Sequence, residues 1–218
     1  MAIILYDYWR SSAAYRLRIA FNLAGLPYET VPVDLLAGEQ RSPEHLGRNP
    51  QGLVPVADID GTLFTQSLAI IEFLDDSGYF AFLPRDIIGR ARVRAMSYAI
   101  AMEIHPVCNL SVAKHAADAS GGRIGMKDWM IRFIPPGLAA FEALVAQSPE
   151  SSHCYGDRIT MADVCLVPQL YNARRWGIDL EPYPVISEVS IRLKAKPAFS
   201  DAHPEAVHVR HEEEKTEI

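Results

Sequence analysis

The sequence predicts an α/β domain over residues 1–80, followed by an all-α domain over residues 87–204. The first observation behind this division is the order of patterns in about the first 75 residues: strand, helix, strand, irregular stretch, two strands, helix. The second is that apolar residues beyond a linker at 77–84 recur at helical spacing in four stretches, 86–118, 124–147, 160–175 and 184–196. Residues 205–218 are highly charged at their end and are expected to form a mobile tail.

A strand, a helix and a second strand open the α/β domain. Residues 3–6 have the pattern of a buried strand. The apolar residues between Ser12 and Gly25 recur at helical spacing, with Arg16 and Arg18 interleaved. Residues 28–33 form the second strand pattern. Elements this close together predict a right-handed parallel crossover.

The rest of this domain contains a hairpin and a helix. The polar stretch 36–52 is predicted to be irregular. Residues 54–59 and 62–64 are strand patterns joined by Asp60-Gly61, a dipeptide typical of tight hairpin turns. Residues 67–74 are apolar at helical spacing. The complete order of elements is that of a thioredoxin-like domain.

Composition excludes several classes of partner. The chain has 218 residues, 49% of them hydrophobic, and a formal charge of −6, so no basic face is available for a nucleic acid backbone. No apolar run approaches the roughly 20 residues of a membrane span, and the N-terminus lacks the basic start of a secretory signal. Three scattered cysteines predict neither a disulfide framework nor a zinc site, and we expect a cytosolic protein with reduced thiols.

Ser11 and Ser12 lie where the first strand is followed by the first helix, and this junction allows two interpretations. A serine at a helix start caps backbone N–H groups. The same position can hold a ligand thiolate, which the positive end of the helix dipole also favours. Gln66-Ser67, at the start of the next predicted helix in this domain, offers the same choice between a cap and an anion site.

Six blocks of sequence resemble the zeta class of glutathione transferases. They are residues 8–20 (YWRSSAAYRLRIA), 49–55 (NPQGLVP), 66–72 (QSLAIIE), 109–112 (NLSV), 160–169 (TMADVCLVPQ) and 182–184 (PYP). The resemblance covers about residues 2–204 and implies the glutathione transferase fold. One departure is Ala13, where zeta enzymes often carry a cysteine, so the resemblance gives no support for redox chemistry at that position.

The resemblance implies a set of glutathione-binding residues. Ser12 is the favoured partner of the glutathione thiolate, with Ser11 beside it. Val54, before a Pro55 that is typically cis in this fold, is expected to pair with the cysteinyl backbone through its N–H and C=O. Further positions implied to bind glutathione are Gln40, at the glycyl end, Gln66 and Ser67, at the γ-glutamyl carboxylate, and His105, Asn109 and Ser111 in the helical domain.

Arginines are the expected clamps for substrate carboxylates, which they bind bidentately. Arg10 directly precedes the predicted thiolate site. Of the neighbouring pair Arg174 and Arg175 only one can face a cleft, and the resemblance favours Arg175. By contrast, Thr160-Met161-Ala162-Asp163 is interpreted as a capping box with a structural role.

The implied activity is a glutathione-dependent cis–trans isomerisation of 4-maleylacetoacetate to 4-fumarylacetoacetate, in phenylalanine and tyrosine breakdown. It needs no metal. Alternatives are the same chemistry on maleylpyruvate, conjugation or dehalogenation of small α-haloacids, and a transferase-fold interaction module without catalysis. The partners implied are glutathione, a small diacid and a second copy of the chain in a homodimer.

Overall fold

The computed structural model describes residues 1–147 and 151–209 and divides into two compact units. One unit contains residues 1–82 together with the described residues from Ala195 onward, and the other contains residues 83–194. The predicted domain bounds, 1–80 and 87–204, differ from this division in assigning residues 195–204 to the helical domain, and they stay a prediction. Within the described ranges, no helix is both long and apolar enough to cross a membrane.

A mixed four-stranded sheet lies at the centre of the first unit. Its strands are β1 (Ile3–Asp7), β2 (Glu29–Pro32), β3 (Val56–Ile59) and β4 (Thr62–Thr65), in the spatial order β2-β1-β3-β4. β1 and β2 are parallel, while β3 is antiparallel to both β1 and β4. The thioredoxin-like order predicted from the patterns, including the hairpin at Asp60-Gly61, is therefore confirmed.

Three α-helices lie between or directly after these strands in the sequence: α1 (Ser12–Leu23), α2 (Pro43–Arg48) and α3 (Ser67–Asp76). The prediction that 36–52 is irregular is wrong for α2 and for the short 3₁₀ turn Glu39–Arg41 before it. The reason is local, because Ser42 accepts a hydrogen bond from His45 N–H (3.2 Å) and Pro43 occupies the first helical position.

The second unit is helical throughout its regular structure. Its elements are α4 (Ile87–Tyr98), a π-helical segment (Ala99–Ile104), α5 (His105–Val107), α6 (Leu110–Ala119), α7 (Met126–Val145), α8 (Met161–Arg175) and α9 (Pro184–Lys194). The predicted single stretch 86–118 is thus divided by the π-helical segment and by a break before α6. Of the predicted polar connection 149–157, residues 149 and 150 lie outside the described residues.

The start of α8 confirms the predicted capping box. The Asp163 carboxylate accepts hydrogen bonds from the N–H and the hydroxyl of Thr160, both at 2.8 Å, and from Cys154 N–H at 2.9 Å. Burial raises the pKa of Asp163, and these three hydrogen bonds oppose that shift by stabilising the charged form. Asp163 therefore organises the fold of the helical unit.

The residues after α9 pack against α1. The short helix α10 (Pro197–Ser200) contacts α1, and residues 204–209 are again helical. Arg18 Nε donates to the carbonyl of Ala202 (3.0 Å), and Asn22 donates to that of Ala198 (3.1 Å). The imidazole of His208 stacks on Trp9, with ring centroids 4.1 Å apart. The predicted tail 205–218 thus begins in a helical segment, and its residues 210–218 lie outside the described part of the chain.

Candidate active site

The register of the sheet brings three segments of the first unit to one edge. Val56, the first residue of β3, pairs with Tyr6 near the end of β1 and with Thr65 at the end of β4. The loop that enters α1 follows β1, Val54 and Pro55 directly precede Val56, and α3 starts two residues after Thr65. The starts of two helices and an irregular peptide segment therefore meet at this edge, where both helix dipoles favour negative charge.

The structure separates the roles of the two serines at the start of α1. Ser11 is the N-cap, and its Oγ accepts a hydrogen bond from Ala14 N–H at 3.2 Å. Ser12 is the first helical residue and is 7% exposed. Among the described residues, no hydrogen bond engages the Ser12 hydroxyl, so it can donate to an anion placed at this helix terminus.

A strained residue opens α3. Gln66 has φ 67° and ψ 104°, a conformation that costs a non-glycine residue about 1–3 kcal/mol and that is concentrated at functional sites. Its amide Nε2 donates to Gln51 Oε1 at 2.9 Å. The buried Ser67 follows as the first helical residue. This backbone presents the N–H groups of the first turn of α3 for binding an anion.

Arg16, on α1, adds a positive charge to the start of α3. Its Nη1 donates to Ser67 Oγ at 3.3 Å, and the side chain is only 2% exposed. From the residue pattern alone, Arg16 is one of the polar residues interleaved in this helix and has no predicted function. The one sequence signal that could have indicated an anion-binding role for Arg16 is its position within the first turn and a half of a helix that starts at a predicted anion site. An anion at the start of α3 would therefore meet the Ser67 hydroxyl, the N–H groups of the helix terminus and the Arg16 guanidinium.

The peptide segment before β3 has the conformation that the fold implies. The Val54-Pro55 bond is cis, and Pro55 is buried. Among the described residues, neither the N–H nor the C=O of Val54 has a hydrogen-bond partner, so both are available to an extended ligand backbone. Gln40 lies in the 3₁₀ turn, and its Oε1 is buried without a hydrogen-bond partner in the described ranges.

A buried ion pair fixes the loop that carries Arg10. Arg18 donates to Asp7 (2.5 Å) and to the carbonyl of Trp9 (3.0 Å), and the side chains of the pair are fully buried. Arg10 itself is exposed, with its Cζ 4.0 Å from the centroid of the Trp9 ring. The guanidinium is therefore held against an aromatic face while its donors stay accessible to a carboxylate.

The other predicted site residues belong to the second unit. Asn109 is the N-cap of α6, where its Oδ1 accepts from both the N–H and the hydroxyl of Ser111 at 3.0 Å. His105 is half-buried and begins α5, directly after the π-helical segment, a type of helix defect frequent at functional sites. Arg174 and Arg175 are both exposed in the last turn of α8, with Arg175 Cζ 5.9 Å from the Trp176 ring.

Two of the protein's own thiols are unsuited to nucleophilic chemistry at neutral pH. Burial raises the pKa of Cys108 to about 11 and the pKa of Cys154 well above its usual value.

Comparisons with known proteins agree with this architecture. Residues 1–76 match the family model of the glutathione S-transferase N-terminal domain. The maleylacetoacetate isomerase of Rhizobium meliloti (strain 1021) is 56% identical over 207 residues, which cover 93% of this chain and 96% of that protein.

Two solved structures extend the comparison. The holo structure of a maleylpyruvate isomerase, a bacterial zeta-class glutathione transferase, aligns with a TM-score of 0.89 at 39% identity over 93% of this chain and 97% of that one. The maleylacetoacetate isomerase of Anaeromyxobacter dehalogenans 2CP-1, with glutathione bound in its active site, aligns with a TM-score of 0.84 at 42% identity over 94% and 96% of the two chains.

The chain therefore belongs to the glutathione transferase family. Its similarity to a zeta-class structure over almost its full length confirms the resemblance to that class, and with it the predicted fold class: a thioredoxin-like α/β domain followed by a largely helical remainder.

Proposed function

We propose that this chain is a glutathione-dependent cis–trans isomerase that converts 4-maleylacetoacetate to 4-fumarylacetoacetate in phenylalanine and tyrosine breakdown. The observation that carries the proposal is the Ser12 hydroxyl, unengaged among the described residues at the start of α1, in a chain 56% identical to a maleylacetoacetate isomerase. Glutathione acts as the cofactor and no metal takes part.

The tripeptide is bound along the sheet edge. Ser12 donates its hydroxyl hydrogen to the thiolate, and the α1 dipole lowers the thiol pKa further. Val54 pairs through its N–H and C=O with the cysteinyl residue, next to the cis Pro55. The γ-glutamyl carboxylate lies at the start of α3, held by Gln66 and Ser67.

Two further polar groups complete this binding mode. Arg16, which donates to Ser67, supplies the positive charge that the γ-glutamyl carboxylate needs. Gln40, whose amide carries a buried oxygen without a partner in the described ranges, is assigned to the glycyl end. Ser11 keeps its capping bond to Ala14 and supports the helix terminus that Ser12 uses.

The reaction is a reversible addition. The thiolate sulfur forms a bond to one carbon of the cis double bond, and the π electrons move onto the conjugated carbonyl oxygen as an enolate. The former double bond is then single and rotates. When the enolate returns its electrons, the carbon–sulfur bond breaks and the trans double bond forms, which regenerates the thiolate without net proton or electron transfer.

Arginines stabilise the charges of the diacid and of the enolate. Arg10 has accessible donors beside the Trp9 ring, and Arg175 is assigned the second carboxylate by resemblance. His105, Asn109 and Ser111 stay proposed contacts from the helical unit. For Asn109 and Ser111, the capping bonds at α6 also support a purely structural role.

A homodimer and a cytosolic location are also proposed. The dimer rests on the family resemblance, with the N-terminal domain of one subunit expected to pack on the helical domain of its partner. The location is supported by the low number and scattered positions of the cysteines.

Maleylpyruvate isomerisation is the second candidate, and the alignment with a maleylpyruvate isomerase at a TM-score of 0.89 favours it over haloacid chemistry. The test mixes purified protein with each diacid, with and without glutathione, and follows the ultraviolet absorbance. Fast isomerisation that requires glutathione is expected, with maleylacetoacetate preferred. No acceleration of either diacid would refute the proposal. Passage through immobilised glutathione without retention would then indicate an interaction module.

A further inference from the structure

The carbonyl of Leu53 accepts two side-chain hydrogen bonds directly beside the proposed glutathione contact. His45 Nε2 lies 3.0 Å and Asn49 Nδ2 lies 2.8 Å from this oxygen. Both side chains are on or next to α2, and each residue is only 2% exposed. A backbone carbonyl held by two buried donors is more firmly fixed than one facing water.

We propose that His45 and Asn49 are positioning residues that aim the Val54 N–H at the cysteinyl carbonyl of glutathione. The Leu53 carbonyl and the Val54 N–H belong to the same planar peptide group. Since Val54-Pro55 is the cis bond of the described chain, the Leu53-Val54 bond is trans, and its C=O and N–H point in opposite directions. Fixing one end of this plane therefore fixes the other.

Both donors are buried, and Asn49 also has a second side-chain hydrogen bond that orients it. A carbonyl only accepts, so the Nε2 atom of His45 must carry a proton. Its Nδ1 has no partner in the described ranges. Asn49 is oriented by a second bond, since its Oδ1 accepts from Gln51 N–H at 3.1 Å. Asn49 is thus oriented before any ligand arrives, which lowers the entropy lost on binding.

The two bonds also change the electronic character of the peptide group. Hydrogen bonds to a carbonyl polarise the amide and make its N–H a stronger donor. The Val54 N–H is then both aimed and strengthened for a carbonyl acceptor on the ligand. This inference rests on the proposed function, because it takes the cysteinyl backbone of glutathione as that acceptor.

Selective labelling can observe this peptide group without any ligand. With ¹³C-carbonyl leucine and ¹⁵N valine, only Leu-Val bonds give a carbonyl–amide NMR cross-peak, and the sequence has three, at Leu53-Val54, Leu144-Val145 and Leu166-Val167. Val54→Ile identifies the first by removing it. We expect His45→Phe, which keeps a ring but loses the donor, to move this cross-peak and leave the other two in place. His45→Gln, which keeps an N–H donor, should restore part of the shift.

Glutathione affinity is measured on the same proteins by titration calorimetry. His45→Phe should weaken binding about 3- to 10-fold, as expected for one net hydrogen bond, and raise the KM for glutathione with kcat nearly unchanged. Asn49→Asp keeps the acceptor for Gln51 N–H but removes the donor, and should weaken binding at least as much. Ser42→Ala is the matched control, because it removes the α2 cap to His45 N–H and leaves both Leu53 bonds intact.

The outcomes distinguish the positioning role of His45 and Asn49 from the proposed function. Weaker binding in His45→Phe and Asn49→Asp but not in Ser42→Ala, with a displaced Leu53-Val54 cross-peak, supports the positioning role. Unchanged affinity in the first two variants overturns it, and so does an unmoved cross-peak. If the wild-type protein fails to bind glutathione, the proposed function itself is refuted, and the positioning role is refuted with it.

Discussion

Replacing Ser12 by alanine removes the one hydroxyl that the proposed mechanism places on the thiolate. A hydrogen bond to a charged group contributes about 1.5–3 kcal/mol, and one pKa unit corresponds to about 1.4 kcal/mol. The pKa of bound glutathione should therefore rise by about one to two units in Ser12→Ala. Because Ser12 Oγ makes no hydrogen bond within the described residues, the free energy of unfolding should change little.

Ser11→Ala is the matched counterpart, since it removes the same atoms one residue earlier. Ser11 Oγ caps α1 through Ala14 N–H, and loss of such a cap costs about 0.5–2 kcal/mol of stability. We expect Ser11→Ala to unfold at lower denaturant concentration and to retain most of its turnover. Ser12→Ala should thus lose activity but little stability, whereas Ser11→Ala should lose stability but little activity.

The assay combines three measurements on each variant: turnover with saturating glutathione at neutral pH, the pH titration of thiolate absorbance in the complex, and urea unfolding. Turnover in Ser12→Ala should fall at least about tenfold, in parallel with the thiol pKa. Near-normal turnover in Ser12→Ala would remove Ser12 from the mechanism. A larger catalytic loss in Ser11→Ala would show that the sulfur faces Ser11 instead.

Three further predictions concern strain, packing and charge. Gln66→Ala and Gln66→Gly should weaken glutathione binding equally, as measured by calorimetry. The glycine variant should nevertheless be about 1 kcal/mol more stable to urea than the alanine variant, because the φ of 67° is unstrained only for glycine. Equal stability of the two variants would contradict strain at Gln66. Gly137→Ala should lose about 1–3 kcal/mol of stability, since an added Cβ would lie 2.4 Å from Ile104 Cγ1. In the control Gly47→Ala the added Cβ meets nothing within 4 Å, so that variant should be neutral or stabilising. Similar unfolding midpoints for the two variants would refute a steric conflict at Gly137. Burial and the charge of Arg174 lower the pKa of Lys194 from 10.5 to about 8. Between these values the unfolded chain binds a proton that the folded chain lacks, so this group makes stability rise with pH there. Lys194→Met should be more stable than the wild type at about pH 7 and should show a smaller increase of stability with pH. An unchanged pH profile of the urea midpoint would exclude this contribution of Lys194 to stability.

Elements whose signals are local were predictable from the chain. The Asp60-Gly61 turn, the helix after Gln66 and the Thr160-Asp163 cap each depend on residues no more than four positions apart. Helix α2 is not indicated by hydrophobic periodicity, although its start signal is equally local. The Ser42-Pro43 start lies in a polar stretch in which apolar residues do not recur at helical spacing.

Features that depend on distant residues were not predictable in this way. Arg16 and Arg18 occupy polar positions of α1, where arginine is normally solvated, yet they are 2% and 0% exposed. Their burial depends on Ser67, on Asp7 and on the carbonyl of Ala202, residues brought to α1 only by the fold. The clamp on Leu53 by His45 and Asn49 has no signature in residue type alone.

The sequence by itself determined the class of the protein and the identity of its candidate site residues, because short blocks such as 8–20, 49–55 and 66–72 carry side chains and turns that act locally. The tertiary structure decided which groups remain available. Strand pairing at Val56 brings the three blocks together, and the α1 cap engages Ser11 and leaves Ser12 unengaged among the described residues. The physical reason is that availability depends on which partners lie within hydrogen-bond distance, and folding sets that distance for residues far apart in the chain.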